Sequence, residues 1–228
     1  MVRSGIIVPI GSAESKKPIE DHSMLLSDVI KKLGKVEPVN VKEDSPSLPD
    51  KLKRGRAAAL EFLPILKRKL AASDGRLHAG TMLSAAAWLT GTSLYRSFHF
   101  EEEDRLSLVL QTNEVNSAWE SLVYLLEQYN FQKADIPVGR LVLSAMGAPG
   151  FFKPEIEMSH VQSELQRQYN AVMKKHGFDY LDGARVGIIL CSILIQQYSG
   201  ARLIEAEAAA GIVAQRIFEA AKAVPPPL

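Results

Sequence analysis

Residues 77–95 read LHAGTMLSAAAWLTGTSLY, an uncharged run of nineteen residues bracketed by Arg76 and Arg96. Small or apolar residues recur along it at intervals of three and four, the spacing of one face of an α-helix. Apolar side chains also occupy the remaining faces, and a helix that is apolar nearly all round is normally buried. The run therefore predicts a central, buried helix. Its small-residue seam consists of Leu77, Gly80, Ser84, Ala87, Gly91, Leu94 and Phe98.

A shorter uncharged run, residues 186–198, predicts a second central helix. Each run follows an Asp-Gly pair and an arginine, in residues 74–76 and in residues 182–185. An internal duplication is one interpretation, and two independently capped helices are the other. The expected N-caps are Ser73 or Asp74 for the first central helix and Asp182 for the second.

The rest of the chain indicates further helices. They are expected from Asp50 to about residue 72, with a kink or break at Pro64, and from about residue 101 to 129, as one helix or as two divided at Thr112-Asn113. Further helices are expected over about 137–146, 154–175 and 203–224. No convincing strand pattern follows residue 50. We therefore predict an all-α fold, an irregular helical bundle of about seven helices with two central apolar helices, over residues 51–228. Residues 1–50 are predicted to form a short irregular arm and linker with one short helix from Ser23.

Composition favours an ordinary soluble protein. The chain is 46% hydrophobic and 23% charged, with a formal net charge of +1. The first 76 residues hold fifteen Lys and Arg against ten Asp and Glu, whereas residues 77–228 hold twelve against sixteen. Such opposite balances could orient a partner or a second copy.

The location expected from the sequence is cytoplasmic. The uncharged run just reaches the length of a membrane span, but it contains His78 and five Ser or Thr, so burial inside the protein is the better interpretation. The opening apolar run is short and interrupted by Pro9, which does not fit a secretory signal. The single cysteine, Cys191, excludes an intrachain disulfide and is expected to lie in the core.

Common catalytic motifs are missing from the sequence. It contains no phosphate-binding loop, nucleophile elbow, His-Glu-x-x-His zinc motif or dinucleotide fingerprint. Glu157 and His160 have the spacing of a dimetal carboxylate motif, but no second copy exists, and a solvated pair is the expected arrangement. His99 with the acids of 101–104 is likewise interpreted as a decorated helix start. We therefore expect no metal site and no cofactor.

The candidate binding site lies at the beginning of the two central helices. Arg76 and Arg185 stand where helix dipoles disfavour cations, so each should meet a carboxylate or an anionic ligand. His78, Thr81 and Ser84 follow within about two turns and need hydrogen-bond partners if buried. These five residues could together line a pocket for a small anion between the two helices.

Three functions remain open from the sequence. The leading hypothesis is a non-catalytic association or scaffold protein that forms a homodimer, with the last helix offering an alanine-rich seam for a partner. The second is a small-anion binder or enzyme using the pocket just described. The third is weak nucleic-acid association through the basic stretch 51–69, which is disfavoured because few aromatics accompany it.

Overall fold

The computed structural model describes residues 48–72, 75–98, 113–131, 140, 154 and 158–225. The chain divides into two units, residues 1–45 and 46–228, and every described residue belongs to the second. The described part is helical and contains no strand, so the predicted all-α class is confirmed. The short helix expected from Ser23 and, apart from Arg140, the one expected over 137–146 lie outside the described residues. The six helices are α1 (Leu48–Leu70), α2 (Ala79–Ser97), α3 (Asn113–Asn130), α4 (Met158–Lys175), α5 (Tyr180–Gly200) and α6 (Ala206–Lys222).

Helix α2 is buried along nearly its whole length, as the uncharged run predicts. All of its residues except Trp88, Arg96 and Ser97 are buried. Two of its hydroxyl groups find acceptors in the helix itself: Thr90 donates to the carbonyl of Ala86, and Ser93 donates to that of Leu89, both at 2.8 Å. This back-bonding lets Thr90 and Ser93 lie in an apolar core without losing a hydrogen bond.

Helix α6 packs against α2 at Gly91. A Cβ atom built on Gly91 would overlap the carbonyl oxygen of Ile217 and lie 2.6 Å from the Cβ of Ala220. The alanine-rich seam of α6 is buried at Ala210, Val213, Ile217 and Ala220. The interpretation of this seam as an association surface therefore needs correction, because the seam is occupied within the chain.

Helix α5 runs antiparallel to α2. A Cβ built on Gly183 would lie 3.7 Å from the hydroxyl of Ser93, and one built on Gly187 would lie 2.9 Å from the Cβ of Thr90. Farther along α5, the sulfur of Cys191 lies 3.9 Å from the Thr90 hydroxyl. Burial raises the pKa of the Cys191 thiol to about 12, so the expected core cysteine is confirmed and the thiol stays protonated at neutral pH.

Helices α1 and α4 pack antiparallel beside α5. The rings of Phe62 and Tyr169 meet edge to face with centroids 4.9 Å apart. The Tyr169 hydroxyl, fully buried, donates to the carbonyl of Gly183 at 2.6 Å. On the opposite side, α3 is fixed by Trp119, whose indole N–H donates to the carbonyl of Ala214 at 3.0 Å. An aromatic side chain thus contributes to the packing of each of α1, α3 and α4.

Helices α2 and α5 begin at other residues than the sequence suggests. The N-cap of α2 is His78, because hydrogen bonds from the Gly75 amide to Ala72 and from the Ala72 amide to Arg76 hold a turn ahead of it. The N-cap of α5 is Asp179, whose side chain accepts from the Asp182 amide at 2.7 Å. The turn between α4 and α5 ends at Phe178. Asp179 comes next, and its carboxylate supplies the hydrogen-bond acceptor with which α5 begins.

The Asp-Gly pair and arginine that precede both uncharged runs do not adopt equivalent structures. Gly75 lies in the turn before α2 with φ of +79°, whereas Gly183 lies inside the first turn of α5. A left-handed backbone at one position and a helical backbone at the other make the two motifs inequivalent. The repeated sequence pattern therefore gives no support to an internal duplication.

Pro64 does not end α1. The helix continues from Leu48 to Leu70, and both Pro64 and the residue one turn before it, Leu60, are exposed. The Leu60 carbonyl, which has no helical amide to accept from at Pro64, therefore lies on the solvent side, where water can satisfy it. Of the expected kink or break at Pro64, the break is therefore wrong.

Candidate functional site

His78 and Thr81 form the N-terminal cap of α2. The His78 Nδ1 accepts from the Thr81 amide at 3.2 Å and lies 2.9 Å from the Thr81 hydroxyl. Both side chains thus serve the start of the helix, where the first amides have no intrahelical acceptor. Ser84, one turn farther, is fully buried, and its hydroxyl has no hydrogen-bond partner within the described part of the chain.

Arg76 and Arg185 lie at opposite ends of the bundle. Because α5 is antiparallel to α2, the beginning of α5 lies beside Ser93, near the end of α2. Arg76 precedes α2, so at 1.5 Å per residue the two arginines are separated by about 20 Å along the axis. Arg185 is exposed and bonds Asp182 at 3.0 Å. The structure therefore brings His78 and Thr81 together but does not join Arg185 to them in one pocket.

The acidic and histidine motifs do not assemble into a metal centre in the described part of the chain, where no group of three His, Cys, Asp or Glu could hold an ion. Glu157, the side chain of His160, and residues 99–104 lie outside the description. Glu164, the next acid along the chain, is exposed and ion-paired with Lys69.

The basic stretch 51–69 divides between two faces of α1. Lys53, Arg56 and Arg68 are exposed, whereas Arg54 turns toward the α4–α5 turn. The Arg54 guanidinium donates to the carbonyl of His176 at 3.3 Å and lies 5.3 Å from the centroid of the Phe178 ring. Arg54 therefore caps the end of α4 and is not part of an open basic surface.

Sequence analysis missed the polar cluster that joins α1 to the end of α4. Glu61 accepts from Lys175 at 2.7 Å and lies 3.0 Å from the Nε2 of His176. These hydrogen bonds lower the pKa of the Glu61 carboxyl, the one from Lys175 most strongly. The sequence signal for this cluster is the run Lys174-Lys175-His176 before Gly177, a pattern that is equally typical of the end of a helix.

We expect Glu61→Gln to lower the melting temperature at neutral pH and to change its acid dependence. The folded-state pKa of Glu61 lies below its ordinary value of 4.5, so its contribution is complete above that value and is lost as the pH falls through the folded pKa. The melting temperatures of wild type and variant should therefore converge as the pH falls below 4.5 and through the folded-state pKa of Glu61. Melting curves measured from pH 7 to 3 test this.

The matched control is Glu120→Gln on α3, because Glu120 is exposed and makes no ion pair in the described part of the chain. It should follow the wild-type profile throughout. A difference between Glu61→Gln and wild type that stays constant with pH would contradict a charge-based role for Glu61.

A shallow open cleft of about 450 Å³ lies beside the beginning of α1. Its described lining is Asp50, Lys53, Arg54 and Ala57. Because Arg54 is engaged with His176 and Phe178, Lys53 is the cation left to meet a ligand there. This lining offers a point charge and an aliphatic wall, which suit surface contact better than catalysis.

Comparison with known proteins found no family model, no curated protein and no solved structure that matches this chain. In the described helices, none combines the length and the apolar character that crossing a membrane requires.

Proposed function

We propose that this chain is a non-catalytic helical protein that acts through association and forms a homodimer. The observation that carries the proposal is an apolar end of the bundle. Tyr180 and Leu181 are 39% and 38% exposed at the beginning of α5, and Val224 is 47% exposed after the end of α6. Large apolar side chains grouped at one end of a protein mark interaction surfaces more often than single ones do.

These residues belong to the same end because of how α2 is packed. Gly183, just after Leu181, lies beside Ser93, and the last turns of α6 lie beside Gly91. Both contacts are in the second half of α2. Tyr180, Leu181 and Val224 therefore lie level with the last turn of α2, and we name these three residues the apolar end.

The hydrogen bonding of the interior polar side chains favours a function that uses the protein surface. Its polar side chains are largely engaged in holding helices together: Ser192 donates to the carbonyl of Ile188 at 2.8 Å, and Asn130 donates to the Ser192 hydroxyl at 3.2 Å. Hydrogen bonds of this kind fix a core and leave few groups for a substrate. The Ser84 hydroxyl and the Trp88 indole N–H are exceptions, since both atoms are buried and neither has a hydrogen-bond partner among the described residues.

The finer architecture belongs to the same proposal. We infer that the complete chain has about seven helices, with α2 and α5 as the central apolar pair, and that it works in the cytoplasm. The opposite charge balances of residues 1–76 and 77–228 would orient the two copies. A pocket for a small anion has less support, because Arg76 and Arg185 lie at opposite ends.

Light scattering and sedimentation velocity over a range of concentrations test the proposal. We expect wild type to be a dimer at about 100 μM and Leu181→Asp to be a monomer there. An acid in the first turn of α5 suits the helix dipole, so this variant should remain folded. Its circular dichroism should match that of wild type.

The matched control is Leu203→Asp. Leu203 is 55% exposed and lies in the α5–α6 connection, at the other end of the bundle, so this variant should still dimerise. A wild type that stays monomeric over the whole range would refute self-association. A dimer that Leu203→Asp disrupts and Leu181→Asp does not would refute the apolar end as its interface.

A further inference from the structure

The outward face of α1 carries a cationic stripe with an apolar centre. Its exposed residues recur at intervals of three and four, and Leu60 in the middle is 48% exposed. We name this face the α1 stripe. It consists of Lys53, Arg56, Ala57, Leu60, Pro64, the half-buried Lys67 and Arg68.

The four cations of the α1 stripe have no ion pair in the described part of the chain. Neighbouring cations are engaged, since Lys69 pairs with Glu164 and Lys175 pairs with Glu61. Of the two acids of α1, Glu61 is engaged with Lys175 and His176, and Asp50 lies one turn before Lys53 at the beginning of the helix. The stripe therefore presents unpaired positive charge on both sides of Leu60.

Pro64 adds a polar feature to the apolar centre. A proline has no amide hydrogen, so the carbonyl of Leu60 lacks its usual helical donor. Both residues are exposed, and this carbonyl is therefore free to accept from water or from a partner. The centre of the stripe thus combines an aliphatic side chain with a backbone acceptor.

We propose that the α1 stripe is a docking surface for an acidic amphipathic helix of a different protein. From Arg56 to Arg68 the stripe spans about 18 Å, or some three turns, which matches a helix with apolar residues at its centre and Asp or Glu on both flanks. Charge complementarity selects such a partner and speeds its encounter with the stripe.

A second copy of this chain does not fit through the same face. In a twofold arrangement Leu60 would meet Leu60, but Lys53 and Arg56 would then face the partner's Lys67 and Arg68. Like charges across an interface oppose association. The inference thus goes beyond the proposed homodimer and uses a different surface.

Nucleic acid fits the stripe less well. Phosphates would satisfy the cations, but Leu60 would face a polyanion, and no aromatic side chain lies on the stripe for stacking on bases. Binding through cations alone would also depend steeply on salt. A protein helix uses the cations and the apolar centre together.

The test uses a fluorescently labelled synthetic helix of about eighteen residues, with leucines on one face and glutamates beside them, and follows anisotropy at about 100 mM salt. Comparison probes are the same peptide with lysine in place of glutamate, a short DNA duplex, and vesicles of phosphatidylcholine and phosphatidylserine. We expect only the acidic peptide to bind well.

Variants of the stripe give the decisive comparison. Leu60→Gln should weaken binding about fivefold through lost apolar contact. Arg56→Gln combined with Arg68→Gln should weaken it about tenfold. Leu203→Gln and Arg167→Gln change an exposed leucine and an exposed arginine elsewhere and should leave the affinity unchanged.

Three results would overturn the inference. One is no binding of the acidic peptide, and another is equal binding by wild type and Leu60→Gln. The third is tighter binding of the DNA duplex or of the vesicles than of the peptide, which would assign the stripe to nucleic acid or to membrane surfaces instead. None of these results depends on dimerisation, since Leu181→Asp leaves the α1 stripe intact.

Discussion

Gly91→Ala is expected to destabilise the folded protein by about 3 kcal/mol, the upper part of the range for overpacked cores. The added methyl group would overlap the carbonyl oxygen of Ile217 and lie 3.0 Å from the amide nitrogen of Ala221. Both are backbone atoms of α6, so no side chain can rotate away. The two helices must separate, and the contacts along their interface are weakened.

The intrinsic preference for alanine in helices acts in the opposite direction. Replacing glycine by alanine inside a helix normally stabilises it by about 1 kcal/mol. A measured loss therefore understates the steric cost. This opposition makes Gly91→Ala a sharp test, because helix propensity alone predicts the opposite sign.

Gly200→Ala is the matched control. Gly200 ends α5, is exposed, and a Cβ built there has no atom within 4 Å. Its stability should stay within about 0.5 kcal/mol of wild type or rise slightly. Urea unfolding followed by tryptophan fluorescence compares the two variants. Equal stabilities for Gly91→Ala and Gly200→Ala would mean that α2 and α6 are not in contact at Gly91.

Ala210→Arg is expected to unfold the protein. Ala210 is completely buried and lies two helical turns before Ile217, on the face of α6 that packs against α2. A guanidinium there has neither space nor a counter-charge, and the cost should exceed about 4 kcal/mol. That is a large part of the total stability of a domain.

This result separates the structure from the sequence-based hypothesis. If the alanine seam of α6 were an association surface, Ala210→Arg would give a folded monomer. We expect instead the loss of helical circular dichroism and of dispersed amide resonances. Ala171→Arg is the control, since Ala171 is an exposed alanine in the last third of α4 and should tolerate the change. A folded, monomeric Ala210→Arg would contradict the described packing of α6.

The sequence predicted only the part of the candidate site that lies within one helix. The proximity of His78 to Thr81 follows from their spacing at a helix start, and the structure brings them together. Joining them to Arg185 required the two uncharged helices to begin at the same end. Nothing in the periodicity of a helix states its direction relative to another helix, so this step could not be made from the sequence.

Some surface features could likewise be predicted from the sequence, whereas others required the tertiary structure. The stripe formed by Arg56, Leu60 and Arg68 could have been found from the sequence, by projecting residues 48–70 onto a helical wheel. That Arg54 turns inward could not, because it depends on Phe178 and the His176 carbonyl, more than one hundred residues away. The same holds for Glu61, whose partners lie at the end of α4.

The sequence by itself determined the helical class, the burial of α2 and the inert environment of Cys191, because these depend on local periodicity and on the absence of charge. The tertiary structure alone decided which helices are neighbours, their antiparallel order, and the use of the α6 seam inside the monomer. It also selected the caps, His78 in place of Ser73 or Asp74, and Asp179 in place of Asp182. Several residues near each helix start can accept a hydrogen bond, and the turn that leads into the helix chooses among them.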